Sequence, residues 1–113
     1  MVKEEEIYQQ HADLCKMLSN PIRLKILNQL REGEKPVGEI TTSIGARQPT
    51  ISQHLGTLRR LGLVDSRKEG TNVYYKISHP KIMKACDLIR EVIFEQISKQ
   101  QELGKGGGAS DKK

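Results

Sequence analysis

The stretch Val37–Ile77, VGEITTSIGARQPTISQHLGTLRRLGLVDSRKEGTNVYYKI, decides the fold, because its apolar period changes inside it. Val37, Ile40 and Ile44 step at helical spacing for barely two turns, and Gly45 closes them. A second helix follows at once: over residues 48–61, Ile51, Leu55, Leu58 and Leu61 form one stripe, with Gly62 as its natural stop. Leu63 to Lys68 and Val73 to Ser78 then read as two strands rich in Val, Tyr and Ile, joined through Glu69-Gly70-Thr71-Asn72 as a β-hairpin.

Working outward, Ile7, His11, Leu14, Cys15 and Leu18 give an amphipathic first helix over residues 4 to 18 with an acidic first turn. Asn20 as N-cap and Pro21 at the first helical position start a second, whose Ile22, Ile26, Leu27 and Leu30 form one face up to Gly33. Glu34-Lys35-Pro36 reads as a linker. From Pro80 the helical period returns with Ile82, Cys86, Ile89, Ile93 and Ile97, until Gly104. Residues 104 to 113, GKGGGASDKK, are expected to be a disordered tail, leaving one domain over residues 1 to 103. The expected class is mainly α with a small β-hairpin.

Two short helices joined by a glycine turn and followed by a basic hairpin make a winged helix-turn-helix. At about 100° per residue, with Ile51, Leu55 and Leu58 inward, the outer face of the fourth helix carries Pro49, Gln53, Gly56 and Arg60, flanked by Thr50, Ser52 and Thr57. Such a slender polar face suits the edges of base pairs. Gln48 or Gln53 can bond adenine through two hydrogen bonds, and the methyl of Thr50 can meet that of thymine. Ser52, His54 and Thr57 are placed for phosphates, and Gly56 for close approach to the backbone. Arg47, Arg59, Arg60, Arg67 and Lys68 supply counterion release, or a minor-groove contact from the wing. The bland alternative is a solvated helix that only packs.

Charge supports the first reading. The 113 residues carry a net +5, and residues 47 to 76 hold six basic against two acidic side chains, a local excess of +4 in a chain otherwise near balance. With 35% hydrophobic residues, four aromatics and no Trp, the interior falls to Leu, Ile and Val. Such a small core favours self-association, and the first and last helices are the expected dimer interface. No apolar run approaches the roughly 20 residues of a membrane span, and the acidic N-terminus is unlike a signal peptide, so a cytoplasmic protein is expected. Glycine-rich phosphate loops, nucleophile motifs and carboxylate pairs in a cleft are missing, which argues against an enzyme.

Cys15 and Cys86 stand 71 positions apart without a CxxC pairing. Packing on apolar helix faces explains both; the sharper alternative is an effector or redox switch. His11 precedes Cys15 by four residues, so imidazole and thiolate share a helix face, and with Cys86 they are the weak candidates for zinc or another thiophilic metal.

The runs LSNPIRLKILNQL and ARQPTISQHLGTLRRLGLVDSRKEGTNVYYKIS resemble the ArsR/SmtB family of winged-helix repressors, over roughly residues 10 to 95. The likeness rests on the NPxRLxIL pattern at Asn20 to Leu27, the stretch from Ser52-Gln53-His54-Leu55 onward, and the RxxGxxxYY wing at Arg67 to Tyr75. It implies a homodimer, an inverted-repeat operator in double-stranded DNA read by the fourth helix, and release when an inducer binds or oxidises cysteines. The family's inducer signatures are another matter. Its third-helix thiolate box falls on Glu39 to Ile44, without cysteine, and its fifth-helix zinc ligands are missing around Asp87 to Gln96. In the sulfur-responsive branch a second-helix cysteine would align near Asn28. The expectation is a dimeric DNA-binding repressor, with a thiol or soft-metal signal as its effector. The alternatives are a winged-helix protein-interaction module and a regulator with no cysteine-based inducer.

Overall fold

The computed structural model describes residues 2–105; the expected disordered tail lies almost wholly outside them. The elements run α1 (Glu4–Leu18), α2 (Pro21–Gln29), β1 (Lys35–Pro36), α3 (Val37–Ile44), α4 (Gln48–Arg60), β2 (Val64–Glu69), β3 (Asn72–Ile77) and α5 (Lys81–Lys105). They form two compact units, residues 1–80 and the segment from Lys81 that holds α5.

Local chemistry sets the boundaries of the first unit. Asn20 caps α2, its Oδ1 accepting from Ile22 N at 2.9 Å and Arg23 N at 3.1 Å, with Pro21 inside the first turn. α2 stops at Gln29, four residues before Gly33, and the chain turns through Leu30. Gly45, in the left-handed region at φ +79°, ends α3 and leaves three residues before α4. α4 ends in a Schellman motif: Leu63 N donates to Leu58 O and Gly62 N to Arg59 O, with Gly62 at φ +78°. Leu58 and Leu63, the apolar pair that closes this motif, are both buried.

α2, α3 and α4 pack on one another. Ile26, Leu27, Leu30, Ile40, Ile51, Leu55, Leu58, Leu63 and Val64 make up this unit's core. Each such side chain contributes about 1.5–3 kcal/mol by leaving water. α4 is thus held along one stripe, and its opposite flank is left to solvent.

The hairpin forms in the expected place, with a two-residue turn in which Gly70 adopts φ +64°. The linker expectation is corrected. Lys35 and Pro36 form an edge strand antiparallel to β3, giving the sheet order β1-β3-β2. Proline fits there, since an edge position needs no N–H on its outer side.

In the second unit, α5 continues to Lys105, past the expected stop at Gly104. Met83 near its start is buried, while Leu88, Ile89, Val92, Ile93, Phe94 and Ile97 are 45–62% exposed. α1 has no buried residue and exposes Ile7 and Tyr8. Among the described residues no helix is long and apolar enough to cross a membrane.

Candidate nucleic-acid interface

α4 presents Gln48, Pro49, Ser52, Gln53, Arg59 and Arg60 to solvent, with Arg47 just ahead of them; Thr50, Gly56 and Thr57 are half-buried on its flanks. The outward face expected from helical spacing is therefore the face left open, except at Gly56, which the spacing places outward and which is half-buried. Its start differs from that of α2 in that no side chain caps it; like α2, it has no acidic residue in its first turn. The backbone donors and positive dipole end of α4 thus meet solvent beside Arg47, an arrangement suited to phosphate. Farther along, Arg60 donates from Nη2 to Thr57 Oγ1 at 3.2 Å, and Thr57 donates to the carbonyl of Gln53 at 3.2 Å.

His54 departs from its expected place among the open phosphate-facing residues. It is half-buried, and its Nδ1 accepts from Nε of Arg23 on α2 at 3.1 Å. Burial, then the neighbouring Arg23 charge, lowers its pKa from the ordinary 6.5. Sequence reasoning overlooked Arg23, which lies 31 positions away; its place within the NPxRLxIL pattern was the available signal.

The wing is also corrected in part. Lys68 is exposed as expected, but Arg67 has its charge engaged within the chain. Its Nε and Nη2 donate to the two carboxylate oxygens of Glu34 at 2.8 Å each, and Nη1 donates to Glu69 at 2.6 Å. The guanidinium stacks 4.5 Å from the centroid of Tyr74. Arg67 pairs with Tyr74 in the sheet and Tyr74 with Pro36, so the arginine reaches across the central strand to the residue preceding β1. The fork-to-fork geometry explains why the Glu34 pKa is lowered and that of Arg67 raised. Glu34, an acid inside a basic neighbourhood, was the missed partner.

The thiols are separate from this face. Cys15 is exposed on α1 and Cys86 half-buried on α5; neither forms a disulfide. Packing within one chain therefore does not account for Cys15. His11 is exposed one turn before it. Among the described residues, no three His, Cys, Asp or Glu side chains converge to hold a metal ion.

Comparison with known proteins fits this geometry. Residues 20–66, from the cap of α2 into β2, match the family model described as bacterial regulatory protein, arsR family. The chain is 33% identical over 114 residues to the HTH-type transcriptional regulator Rv0081 of Mycobacterium tuberculosis, covering 96% of this chain and all of that protein. It is 38% identical over 85 residues to the biofilm growth-associated repressor of Xylella fastidiosa, covering 75% of each. The solution structure of a homodimeric winged helix-turn-helix DNA-binding domain from Mycobacterium bovis superposes with a TM-score of 0.75 at 33% identity, covering 88% of this chain and 92% of that one. With matches of this identity and coverage, the chain belongs to the arsR family of bacterial transcriptional regulators.

Proposed function

We propose that the protein is a homodimeric, sequence-specific DNA-binding repressor, acting in the cytoplasm, that lays α4 in the major groove of an inverted-repeat operator. The observation that carries this reading is α4 itself: one stripe anchored in the core, the opposite flank polar and open, and an uncapped N-terminus beside Arg47. Gln48 and Gln53 read base edges, Thr50 meets a thymine methyl, and Ser52, Thr57, Arg47, Arg60 and Lys68 hold phosphates. The apolar side chains that α1 and α5 each leave exposed favour a second copy, since exposed apolar surface marks association. Two reading heads would then address half-sites about one helical turn apart, roughly 34–36 Å.

A duplex selected from a random library, titrated against its scrambled counterpart, tests this. Gln53→Ala should erode the preference for the selected duplex, and Lys68→Ala should weaken binding to both duplexes alike. Equal loss on both duplexes for Gln53→Ala removes its base-reading role. For the signal, Cys15 is the more exposed thiol toward an oxidant or soft metal, with His11 one turn away and Cys86 on α5 as the second thiol. Titrations with and without dithiothreitol, zinc, cadmium and arsenite test release. Unchanged affinity throughout places the protein among regulators with no cysteine-based inducer.

A further inference from the structure

Arg23 joins three helices through one guanidinium. Its backbone N–H is held by the Asn20 cap at 3.1 Å, Nη1 donates to the Met17 carbonyl at 3.1 Å and lies 3.5 Å from the Met17 sulfur, and Nε donates to His54 Nδ1 at 3.1 Å. The last turn of α1, the first turn of α2 and the middle of α4 are therefore tied at one point. A guanidinium is a donor only and does not deprotonate, so the nitrogen facing it must be an unprotonated acceptor. A neutral imidazole with Nδ1 as acceptor carries its proton on Nε2, and among the described residues that N–H has no protein partner. His54 is only half-buried and lies one turn on from Thr50, next to the open flank of α4.

We infer that Arg23 is a positioning residue for the reading helix: it holds His54 as a neutral imidazole and so directs the Nε2–H, as an uncharged donor, to a DNA phosphate. The inference rests on the DNA-binding function proposed above. It reconciles the inward Nδ1 of His54 with a contact on the open side, and it separates His54 from the lysines and arginines of the interface. Those bind phosphate as cations and release counterions; a neutral imidazole binds by direction alone. Protonation of His54 would break the bond from Arg23 and set two cations side by side. Arg23 is the charge that acts on it from α2, while α1 faces this guanidinium with the uncharged carbonyl and thioether of Met17.

Two measurements test this, one without DNA. In the free wild-type protein, nitrogen-15 NMR should show His54 with pyridine-like Nδ1 and protonated Nε2, resisting protonation as pH falls through 6.5. The Nδ1–H tautomer, or titration at the ordinary value, overturns the inference without any variant having to fold. With the selected duplex, His54→Ala should weaken binding by roughly tenfold at fixed salt and leave the salt slope unchanged, as loss of an uncharged donor to a charged acceptor requires. As pH falls from 8 to 5.5, wild-type affinity should not gain from His54. In Arg23→Met the released imidazole titrates normally, so affinity should rise several-fold and the low-pH salt slope steepen by about 0.9 per phosphate held. His11 and His79 contribute the same background to both proteins. Identical pH profiles for wild type and Arg23→Met overturn the inference. Absence of DNA binding by every protein at every pH overturns the proposed function instead, and leaves the NMR result to decide the state of His54.

Discussion

Lys68 and Arg67 are adjacent basic residues on the same strand, yet their removal should act differently on DNA binding. Lys68 is exposed and holds no ion pair among the described residues, whereas Arg67 gives two donors to Glu34 and a third to Glu69. Each phosphate neutralised by a protein cation contributes about 0.9 to the slope of log K against log salt. In a dimer each substitution occurs twice, so Lys68→Ala should flatten the slope by about 1.8, which makes the affinity ratio between 50 and 200 mM salt about tenfold smaller. Arg67→Ala should flatten it by clearly less, because that charge is already matched by carboxylates of its own chain. Glu34→Gln, which frees one edge of the guanidinium, should steepen the slope. Fluorescence anisotropy of a labelled duplex over that salt range measures all three. Equal slope changes for Arg67→Ala and Lys68→Ala would show that Arg67 abandons Glu34 for phosphate in the complex, and the idea of an internally clamped wing would be wrong.

Leu55 is fully buried on the inner stripe of α4, so Leu55→Ala should cost about 2–5 kcal/mol in denaturant unfolding, a large share of a small domain's stability. Gly56 sits inside the same helix, and a Cβ there would meet only Arg60 Nη1, at 3.7 Å; Gly56→Ala should therefore stabilise the fold by up to about 1 kcal/mol, seen as a melting point raised by several degrees. The neutral state of His54 makes stability depend on pH. Since its folded pKa lies below the unfolded value of 6.5, this contribution is complete above that pH and is lost as pH falls through the folded value. Melting curves between pH 8 and 5 should show a decline in the wild type that His54→Gln lacks. Glu34 behaves likewise in a lower window, its contribution being present above 4.5 and lost as acid protonates it.

What could be read from the chain alone follows from the range of the forces involved. The helices of the reading head announce themselves because their signals are local: Asn20 and Pro21 begin α2, Gly45 and Gly62 supply left-handed residues where α3 and α4 end, and Ile51, Leu55 and Leu58 recur at the period that buries them. Once that stripe is fixed, the outer face of α4 follows by geometry. β1 escaped because two residues carry no period; its existence depends on Tyr74 and Tyr75, nearly 40 positions later.

The two side chains that the structure redirects at the site share that cause. His54 and Arg67 were assigned by residue type and by position on their own elements, and each is redirected by one partner more than 30 positions away, Arg23 and Glu34. Both partners act by accepting or donating in a fixed direction, a property that sequence spacing within one element does not encode. The consequence for function is specific. A count of basic residues over 47 to 76 overstates the charge free to meet DNA, because Arg67 is matched internally. On the function proposed here, specific binding should then draw more on directed contacts from Gln48, Gln53 and His54 than the raw charge suggests. That balance is open to measurement: the wild-type salt slope should correspond to fewer phosphates per subunit than the six basic residues of this segment would supply if all were free.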